Sequence, residues 1–139
     1  MEELKDHVIV CGYGLVGERV VDILLENGIS VVVVEIDPEK VEILRERGID
    51  VIKGDATSSK ILKEAGIANA KAIAIVLDDD AKNLFASITA KSLNEKIIIA
   101  TRVNDDSLKE KFIDVGVKFI ATPAKSASDE LFKEISKGF

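Results

Sequence analysis

Short apolar runs alternate along the chain with longer stretches whose apolar residues recur at helical spacing. The runs are mostly β-branched and lack polar alternation, which is typical of strands buried on both faces. They comprise four strong segments, 8–11, 31–34, 73–77 and 97–100, and two weaker ones, 51–52 and 118–121. The stretches between them, such as 15–27 and 81–93, predict amphipathic helices. Six strands alternating with helices predict an α/β fold with a doubly wound parallel sheet of the Rossmann type.

A glycine followed by an aliphatic residue closes several of the helical stretches. The pairs are Gly28-Ile29, Gly48-Ile49, Gly66-Ile67 and Gly116-Val117. Glycine tolerates the left-handed conformation found just after a helix, and the next aliphatic residue packs back on the last turn. This repeat supports the helix-then-strand order independently of the hydrophobic pattern.

The last segment of the chain leaves this rhythm. Its apolar residues Leu131, Phe132, Ile135 and Phe139 form a stripe at helical spacing. We therefore expect a Rossmann-like domain over 1–123 and a C-terminal helix over 124–139.

Composition narrows the class of protein. The 139 residues suit one domain, and the 19 basic and 25 acidic residues give a net charge of −6. This balance argues against nucleic acid or an anionic membrane as the main partner, since both require a basic face. The single cysteine, Cys11, allows no internal disulfide. No run of about 18 apolar residues and no signal-peptide core is found, so we expect a soluble cytoplasmic domain.

The most informative motif is Gly12-x-Gly14-x-x-Gly17, which follows the first strand and opens the first helix. In this context the motif is typical of dinucleotide binding. Gly12 would permit a tight turn, Gly14 would let the backbone approach a pyrophosphate, and Gly17 would allow close helix–strand packing. The free N–H groups of the helix N-terminus would then meet phosphate.

Acidic residues follow the next two strands. Glu35 lies where a carboxylate accepts hydrogen bonds from the adenosine ribose, which favours NAD or an adenine nucleotide over NADP. Asp37 precedes Pro38, so it is explained equally well as an N-cap. Asp55 is predicted to accept from an adenine amino group or to form an ordinary Asx turn, with Thr57 or Ser58 capping the next helix.

Charged residues also follow strands four and five. The carboxylates of Asp78, Asp79 and Asp80 precede a helix, and capping explains two of them without a metal, so no metal site is predicted. Arg102 is the best side-chain candidate for a phosphate contact, and its alternative role is a salt bridge with Asp105 or Asp79.

No catalytic set of residues can be assembled from the sequence. The only histidine, His7, begins strand one, at the opposite end from the expected ligand, and the only tyrosine, Tyr13, lies inside the glycine turn. Cys11 is expected to behave as a small buried apolar residue. A dehydrogenase needs a proton donor or acceptor beside its cofactor. We therefore expect a non-enzymatic domain. The alternatives are the cofactor domain of an NAD-dependent oxidoreductase and an enzyme that acts directly on a nucleotide.

The sequence resembles the N-terminal nucleotide-binding part of regulator-of-potassium-conductance (RCK) domains. The resemblance spans nearly the whole chain and is most specific in the Gly-Asp-Ala-Thr step at 54–57. It implies binding of NAD(H) or of AMP, ADP or ATP without catalysis. The candidate nucleotide-binding residues are Gly12, Tyr13, Gly14, Leu15, Val16, Gly17, Glu35, Ile36, Asp37, Gly54, Asp55, Ala56, Thr57, Leu77, Asp78 and Arg102.

The resemblance also implies a regulatory role and partners. Such domains form homodimers and rings of dimers that gate a potassium channel or transporter. They lie on the cytoplasmic side of the membrane, either as separate subunits or as part of the channel polypeptide, and the terminal helix crosses to the partner. Two departures are visible. Many relatives have arginine where this chain has Leu15, and the carboxylates of calcium-gated members are replaced by Val76, Thr101 and Val103.

Overall fold

A computed structural model describes residues 4–139 and contains one six-stranded parallel sheet. The strand order is β3-β2-β1-β4-β5-β6, and every neighbouring pair is parallel. The strands are β1 (Val8–Cys11), β2 (Val31–Glu35), β3 (Asp50–Lys53), β4 (Ala72–Ile75), β5 (Ile98–Arg102) and β6 (Phe119–Ala121). The predicted doubly wound α/β fold is therefore confirmed. Its order reverses between β1 and β4, and ligands of such sheets bind outside the carboxyl ends of the strands at this point.

Six α-helices connect or follow the strands in the described part of the chain. They are α1 (Leu15–Glu26), α2 (Pro38–Glu46), α3 (Ser59–Glu64), α4 (Asp80–Leu93), α5 (Lys109–Asp114) and α6 (Pro123–Ser136). Between residues 4 and 139, no helix combines the length and apolarity needed to cross a lipid bilayer.

Helices cover the sheet in two layers with separate cores. Val21 of α1 and Leu44 of α2 pack with Val10 and Val33 on one face. On the other face, helices α3, α4 and α5 contribute Leu62, Ala86, Ala90 and Phe112 to a larger core. Because both faces of β1 and β2 are covered, their residues are almost all buried, which explains their continuous apolar runs.

The glycine signals at the helix ends are confirmed. Gly28, Gly48, Gly66 and Gly116 have φ values of +71°, +73°, +76° and +97°, in the left-handed region. The N–H groups of Ile29, Ile49 and Val117 donate back to carbonyls of the preceding helices, which completes these helix ends.

Several strand boundaries differ from the sequence prediction by one or two residues, and the end of β4 shows a reason. The apolar run at 73–77 predicts a strand through Leu77, but β4 ends at Ile75. The chain turns there because the side chain of Asn83 holds both the N–H and the carbonyl of Leu77, at 3.1 and 2.9 Å. Val76 still donates its N–H to Cys11 of β1 at 2.9 Å, and Leu77 and Asp78 leave the sheet and line the cleft.

Candidate functional site

A cleft of about 290 Å³ opens at the carboxyl ends of the central strands. It lies across the point where the strand order reverses, between the turn after β1 and the loops after β2, β3, β4 and β5. The lining residues are Gly12, Tyr13, Gly14, Val34, Glu35, Ile36, Asp37, Lys40, Gly54, Asp55, Ala56, Val76, Leu77, Asp78, Lys82 and Arg102. Twelve of these are among the residues that the sequence predicted for the site.

The three glycines of the turn differ in whether the fold itself requires glycine at that position. Gly12 has a φ of +100°, which favours glycine, and a Cβ at Gly17 would lie 2.0 Å from the carbonyl oxygen of Gly12. A Cβ at Gly14 would instead meet no atom of the chain within 4 Å. Gly14 also has a φ of −79°, which any residue adopts. The folded chain itself therefore needs glycine at 12 and 17 but not at 14.

Glu35 is buried at the end of β2 and is held by three backbone N–H groups. Its Oε1 accepts from Tyr13 at 2.8 Å, and its Oε2 accepts from Ile36 and Asp37, both at 2.8 Å. The carboxylate therefore connects the glycine turn to the loop after β2. A carboxylate has about four acceptor positions. Three are used, so Glu35 retains capacity for one more hydrogen-bond donor from the cleft.

The two residues after Glu35 have different environments. Asp37 accepts from the N–H of Glu39 at 2.9 Å and is the N-cap of α2, so the alternative explanation of Asp37 is confirmed as its structural role. Ile36 is 63% exposed although it is a large apolar residue, and it lines the cleft. An exposed aliphatic side chain at this position offers a surface for a flat apolar ring.

The loop after β3 contains a tight turn at Asp55 and contributes Ala56 to the base of the cleft. Asp55 Oδ1 accepts from the N–H and the hydroxyl of Thr57, at 2.8 and 2.7 Å, which is the Asx turn expected from the sequence. These two hydrogen bonds lower the pKa of the Asp55 carboxyl, and the positive charge of Lys82 adds to the effect. Ser58 rather than Thr57 caps α3 by accepting from Ile61 at 3.4 Å. Ala56 is buried at the base of the cleft.

The acidic run before α4 has mainly structural partners. Asp79 caps α4 by accepting from the N–H of Lys82 at 3.0 Å. Asp80 accepts from the N–H groups of Asn104 and Asp105, at 2.7 and 2.8 Å, so it ties the loop after β5 rather than capping its own helix. Capping therefore explains one carboxylate, not two. Within residues 4–139, no three His, Cys, Asp or Glu side chains are grouped as metal ligands require.

Arg102 lies at the far side of the cleft from Glu35. Its Nε donates to Asn104 Oδ1 at 3.0 Å, and its carbonyl accepts from the buried side chain of Asn83 at 2.9 Å. The alternative role as an ion-pair partner of Asp105 or Asp79 is not seen, because Arg102 forms no ion pair within the described residues. The hydrogen bond to Asn104 orients the guanidinium beside the cleft.

Four sequence-predicted residues do not line the cleft, namely Leu15, Val16, Gly17 and Thr57. Leu15 is 68% exposed outside it, whereas Gly17 acts only through packing. Four cleft residues were missed by the sequence analysis, namely Val34, Lys40, Val76 and Lys82. A signal for the two lysines existed. Both fall in the first turn of a helix that follows the carboxyl end of a central strand, which is the ligand-binding edge of such a sheet.

Three other side chains that could take part in chemistry, those of Tyr13, Cys11 and His7, have structural surroundings of their own. The hydroxyl of Tyr13 is hydrogen bonded to Arg47, which also pairs with Asp22 at 2.8 Å. Burial raises the pKa of the Cys11 thiol to about 12. His7 is buried at the start of β1, at the opposite end of the strand from the glycine turn, and its Nε2 lies 2.7 Å from the carbonyl oxygen of Ala65.

Comparison with protein families gives a match to the TrkA-N domain over residues 8–123. The chain belongs to the TrkA-N domain family. This finding confirms the resemblance to the N-terminal part of RCK domains.

Relatives of this TrkA-N domain occur in potassium transport proteins. Potassium channel protein 1 of Methanocaldococcus jannaschii is 34% identical over 125 residues, which are 88% of this chain and 38% of the channel protein. The Trk system potassium uptake protein TrkA homolog of Pyrococcus abyssi is 33% identical over 141 residues, covering 96% of this chain and 62% of the relative. The chain thus spans less than two thirds of the length of either protein.

Solved structures show the same fold. The TrkA-N domain of the inner membrane protein ybaL from Escherichia coli matches with a TM-score of 0.90 at 24% identity, over 94% of this chain and 97% of that one. The GsuK channel bound to NAD matches with a TM-score of 0.79 at 21% identity, over 87% and 22% of the two chains. The Shewanella denitrificans Kef CTD in AMP-bound form matches at 0.83 and 23% identity, over 94% and 79%.

Proposed function

We propose that this TrkA-N domain binds NAD(H) or an adenine nucleotide in the cleft and uses binding to regulate a potassium channel or transporter. The observation that carries the proposal is Gly14, which lines the cleft. Its φ of −79° suits any residue, and a Cβ there would have no chain atom within 4 Å, so the fold does not require glycine at this position. A glycine that the fold does not require leaves the backbone open to close approach by a ligand, as a pyrophosphate needs at this position of the motif.

The remaining residues suit an adenosine group on the β2 and β3 side of Gly14. Glu35 has one acceptor position left for a ribose hydroxyl, as its three backbone partners define the orientation of the carboxylate. Ile36 and Ala56 offer apolar surface for the adenine ring. Both hydrogen bonds to the Asp55 carboxylate within the described residues go to Oδ1, so its Oδ2 is left to accept from an amino group. The phosphates would then lie over the turn at Gly12 and Gly14, next to the N-terminus of α1.

The proposed ligand agrees with what related structures hold. The GsuK channel was solved with NAD and with ADP, and the Kef CTD was solved with AMP. All three share the fold of this domain. They support an adenine-containing ligand and leave the choice among NAD(H), AMP, ADP and ATP to a binding measurement.

A regulatory role in potassium transport is supported by the relatives, which are potassium channel and Trk uptake proteins. In this proposal the domain lies at the cytoplasmic face of a membrane channel or transporter. Ligand binding would favour one arrangement of the assembled domains over another by its differential affinity for the two. No transition state is involved in this proposed role.

Helix α6 supports assembly into a homodimer. None of its residues is buried in the single chain, and Leu131, Phe132 and Ile135 are 64%, 72% and 60% exposed. Large exposed apolar residues on one helix face indicate an interaction surface. We propose that α6, which begins one residue before the expected segment 124–139 and ends at Ser136, packs on a second copy, while the domain over 1–123 holds the nucleotide.

Isothermal titration calorimetry of the purified chain with NAD+, NADH, NADPH, ATP, ADP and AMP tests the proposal. We expect NAD(H) or an adenine nucleotide to bind and NADPH to bind more weakly, because the carboxylate of Glu35 repels a 2′-phosphate. Absence of binding below millimolar concentration would contradict a nucleotide-sensing role. A hydride-transfer assay with candidate substrates tests the alternative oxidoreductase function, and measurable turnover would contradict the regulatory one.

A further inference from the structure

We propose that Asn104 is a positioning residue for ligand binding: it holds the guanidinium of Arg102 at the cleft, where the guanidinium receives the second phosphate of an adenine nucleotide. The inference rests on the proposed nucleotide-binding function and adds the residue that prepares one end of the site. Asn104 itself does not line the cleft, whereas Arg102 does.

The register of the sheet aligns four residues in one row across the carboxyl ends of the strands. They are Glu35 at the end of β2, Gly12 after β1, Val76 after β4 and Arg102 at the end of β5. Neighbouring strands lie about 4.8 Å apart, so the row measures about 14 Å from Glu35 to Arg102. Arg102 is therefore placed on the side of the glycine turn that is opposite to Glu35.

This row determines which part of a nucleotide Arg102 meets. In the proposed function, Glu35 binds the ribose and the first phosphate lies over the glycine turn. The group that follows the first phosphate, on the side away from the ribose, then lies toward β4 and β5, where Arg102 lines the cleft. In ADP and NADH this group is a second phosphate, whereas AMP has none. A guanidinium suits a phosphate because it donates two parallel N–H groups to the oxygens.

Asn104 uses both polar atoms of its side chain to hold Arg102. Its Oδ1 accepts from Nε of Arg102 at 3.0 Å, and its Nδ2 donates to the carbonyl oxygen of Asp78 at 3.1 Å. The backbone N–H of Asn104 donates to Asp80 Oδ1 at 2.7 Å, which fixes the segment that carries this side chain. Within residues 4–139, Nε is the only atom of the guanidinium with a partner, so both terminal NH2 groups are left for a ligand.

An orienting residue is needed because Arg102 shares the cleft with an acidic side chain. Asp78 also lines the cleft, and Asn104 contacts both residues, yet the two charged groups form no ion pair with each other. A free arginine side chain has many rotamers, and pairing with a carboxylate would use the charge that a phosphate requires. By binding Nε, Asn104 restricts these rotamers before the ligand arrives, so less conformational entropy is lost on binding.

Calorimetric titration with AMP, ADP and NADH tests the inference on the unmodified chain, on Asn104→Ala and Arg102→Met, and on the double variant. Arg102→Met should raise the dissociation constants of ADP and NADH about 10-fold or more, on the scale of a lost charged hydrogen bond. Asn104→Ala should raise them about 5-fold, the scale of ordering one long side chain on binding. AMP affinity should stay unchanged in both variants, because AMP lacks the second phosphate.

The double variant separates positioning from damage to the loop after β5. Because Asn104 acts through Arg102, Asn104→Ala should cause no further loss of ADP affinity in the Arg102→Met background. Damage to the loop would instead weaken binding in both backgrounds. Asn94→Ala is the matched control, because Asn94 also uses both polar side-chain atoms, toward Ile67 and Lys96, and does not line the cleft. This control should leave all three affinities unchanged.

The outcomes distinguish the inference from the function on which it rests. The inference is wrong, and the function stands, if the unmodified chain binds ADP or NADH and Asn104→Ala binds it equally well. The same holds if AMP affinity falls in parallel, if Asn104→Ala acts equally in both backgrounds, or if only AMP binds. If the unmodified chain binds none of AMP, ADP and NADH, the proposed nucleotide function is wrong and the inference falls with it.

Discussion

The glycine-rich turn and helix α6 differ in where their partners come from. Gly12 and Tyr13 of the turn donate backbone hydrogen bonds to Val34 and Glu35 of β2, and Gly17 lies against the carbonyl of Gly12. Helix α6 has an apolar stripe, yet none of its residues is buried. The comparison teaches that a single chain completes the cleft and its supports, whereas it leaves the apolar face of the terminal helix uncovered. Under the proposed function, nucleotide binding and assembly therefore use different parts of the molecule.

The largest expected effect comes from a substitution that disrupts the close packing of Gly17 against the glycine-rich turn. Gly17→Ala should destabilise the fold by about 3 kcal/mol or more, because the new Cβ meets backbone that cannot move without disturbing β1. In an ordinary helix interior the same change would stabilise by about 1 kcal/mol. Urea denaturation followed by circular dichroism measures the difference. The matched control is Gly14→Ala, which should change the free energy of unfolding by less than about 1 kcal/mol. Equal stability of the Gly17 variant and the unmodified chain would contradict this account of the turn.

The second-largest effect is expected at Gly14, where a substitution should affect ligand binding but not the stability of the fold. Gly14→Val should reduce nucleotide affinity by about 100-fold or more, equivalent to about 2.7 kcal/mol, because the side chain fills the space for phosphate. The melting temperature should change little, since no chain atom lies near that position. Calorimetry and a thermal melt on the same sample measure both quantities. If the variant binds as well as the unmodified chain, the ligand does not approach Gly14.

A substitution on α6 tests whether its exposed apolar face forms the proposed dimer interface. Phe132→Glu should raise the dissociation constant of the proposed dimer by about 30-fold, the scale of a buried aromatic contact of about 2 kcal/mol. Sedimentation equilibrium measures it. Ile43→Glu on α2, where the isoleucine is 48% exposed, is the control for adding a charge to an exposed apolar position. Nucleotide affinity of the monomer should be unchanged. A dimer that withstands Phe132→Glu would place the interface elsewhere.

The smallest effect concerns the residue that links the turn to β2. Glu35→Gln removes the charge and places an NH2 group against at least one of the backbone N–H groups that donate to the carboxylate. Nucleotide affinity should therefore fall by about 1–2 kcal/mol, and the melting temperature should fall as well. The preference for NAD(H) over NADPH should narrow at the same time, because the repulsion of a 2′-phosphate disappears. Parallel titrations with NADH and NADPH measure the ratio. An unchanged ratio would show that Glu35 does not face the 2′ position.

Much of the fold followed from local pattern because the relevant physics is local. Continuous β-branched runs require burial on both faces, and the positive φ after α1, α2 and α3 requires glycine at Gly28, Gly48 and Gly66. The end of β4 was predicted wrongly because a residue that is distant in the sequence decides it. Val76 and Leu77 are as apolar as the residues of the strands, but the side chain of Asn83 forms hydrogen bonds with both the N–H and the carbonyl of Leu77.

The sequence by itself determined the six strands, their alternation with helices, and the position of the glycine turn and of Glu35 beside it, because periodicity and backbone sterics act between near neighbours. Only the tertiary structure decided which charged side chains share the cleft. Arg102 is directed by Asn104, and Asp80 is turned toward the loop after β5. Lys40 and Lys82 both line it although they belong to helices far apart in the sequence. Long side chains have many rotamers of similar energy, so their direction depends on partners that only folding brings within reach.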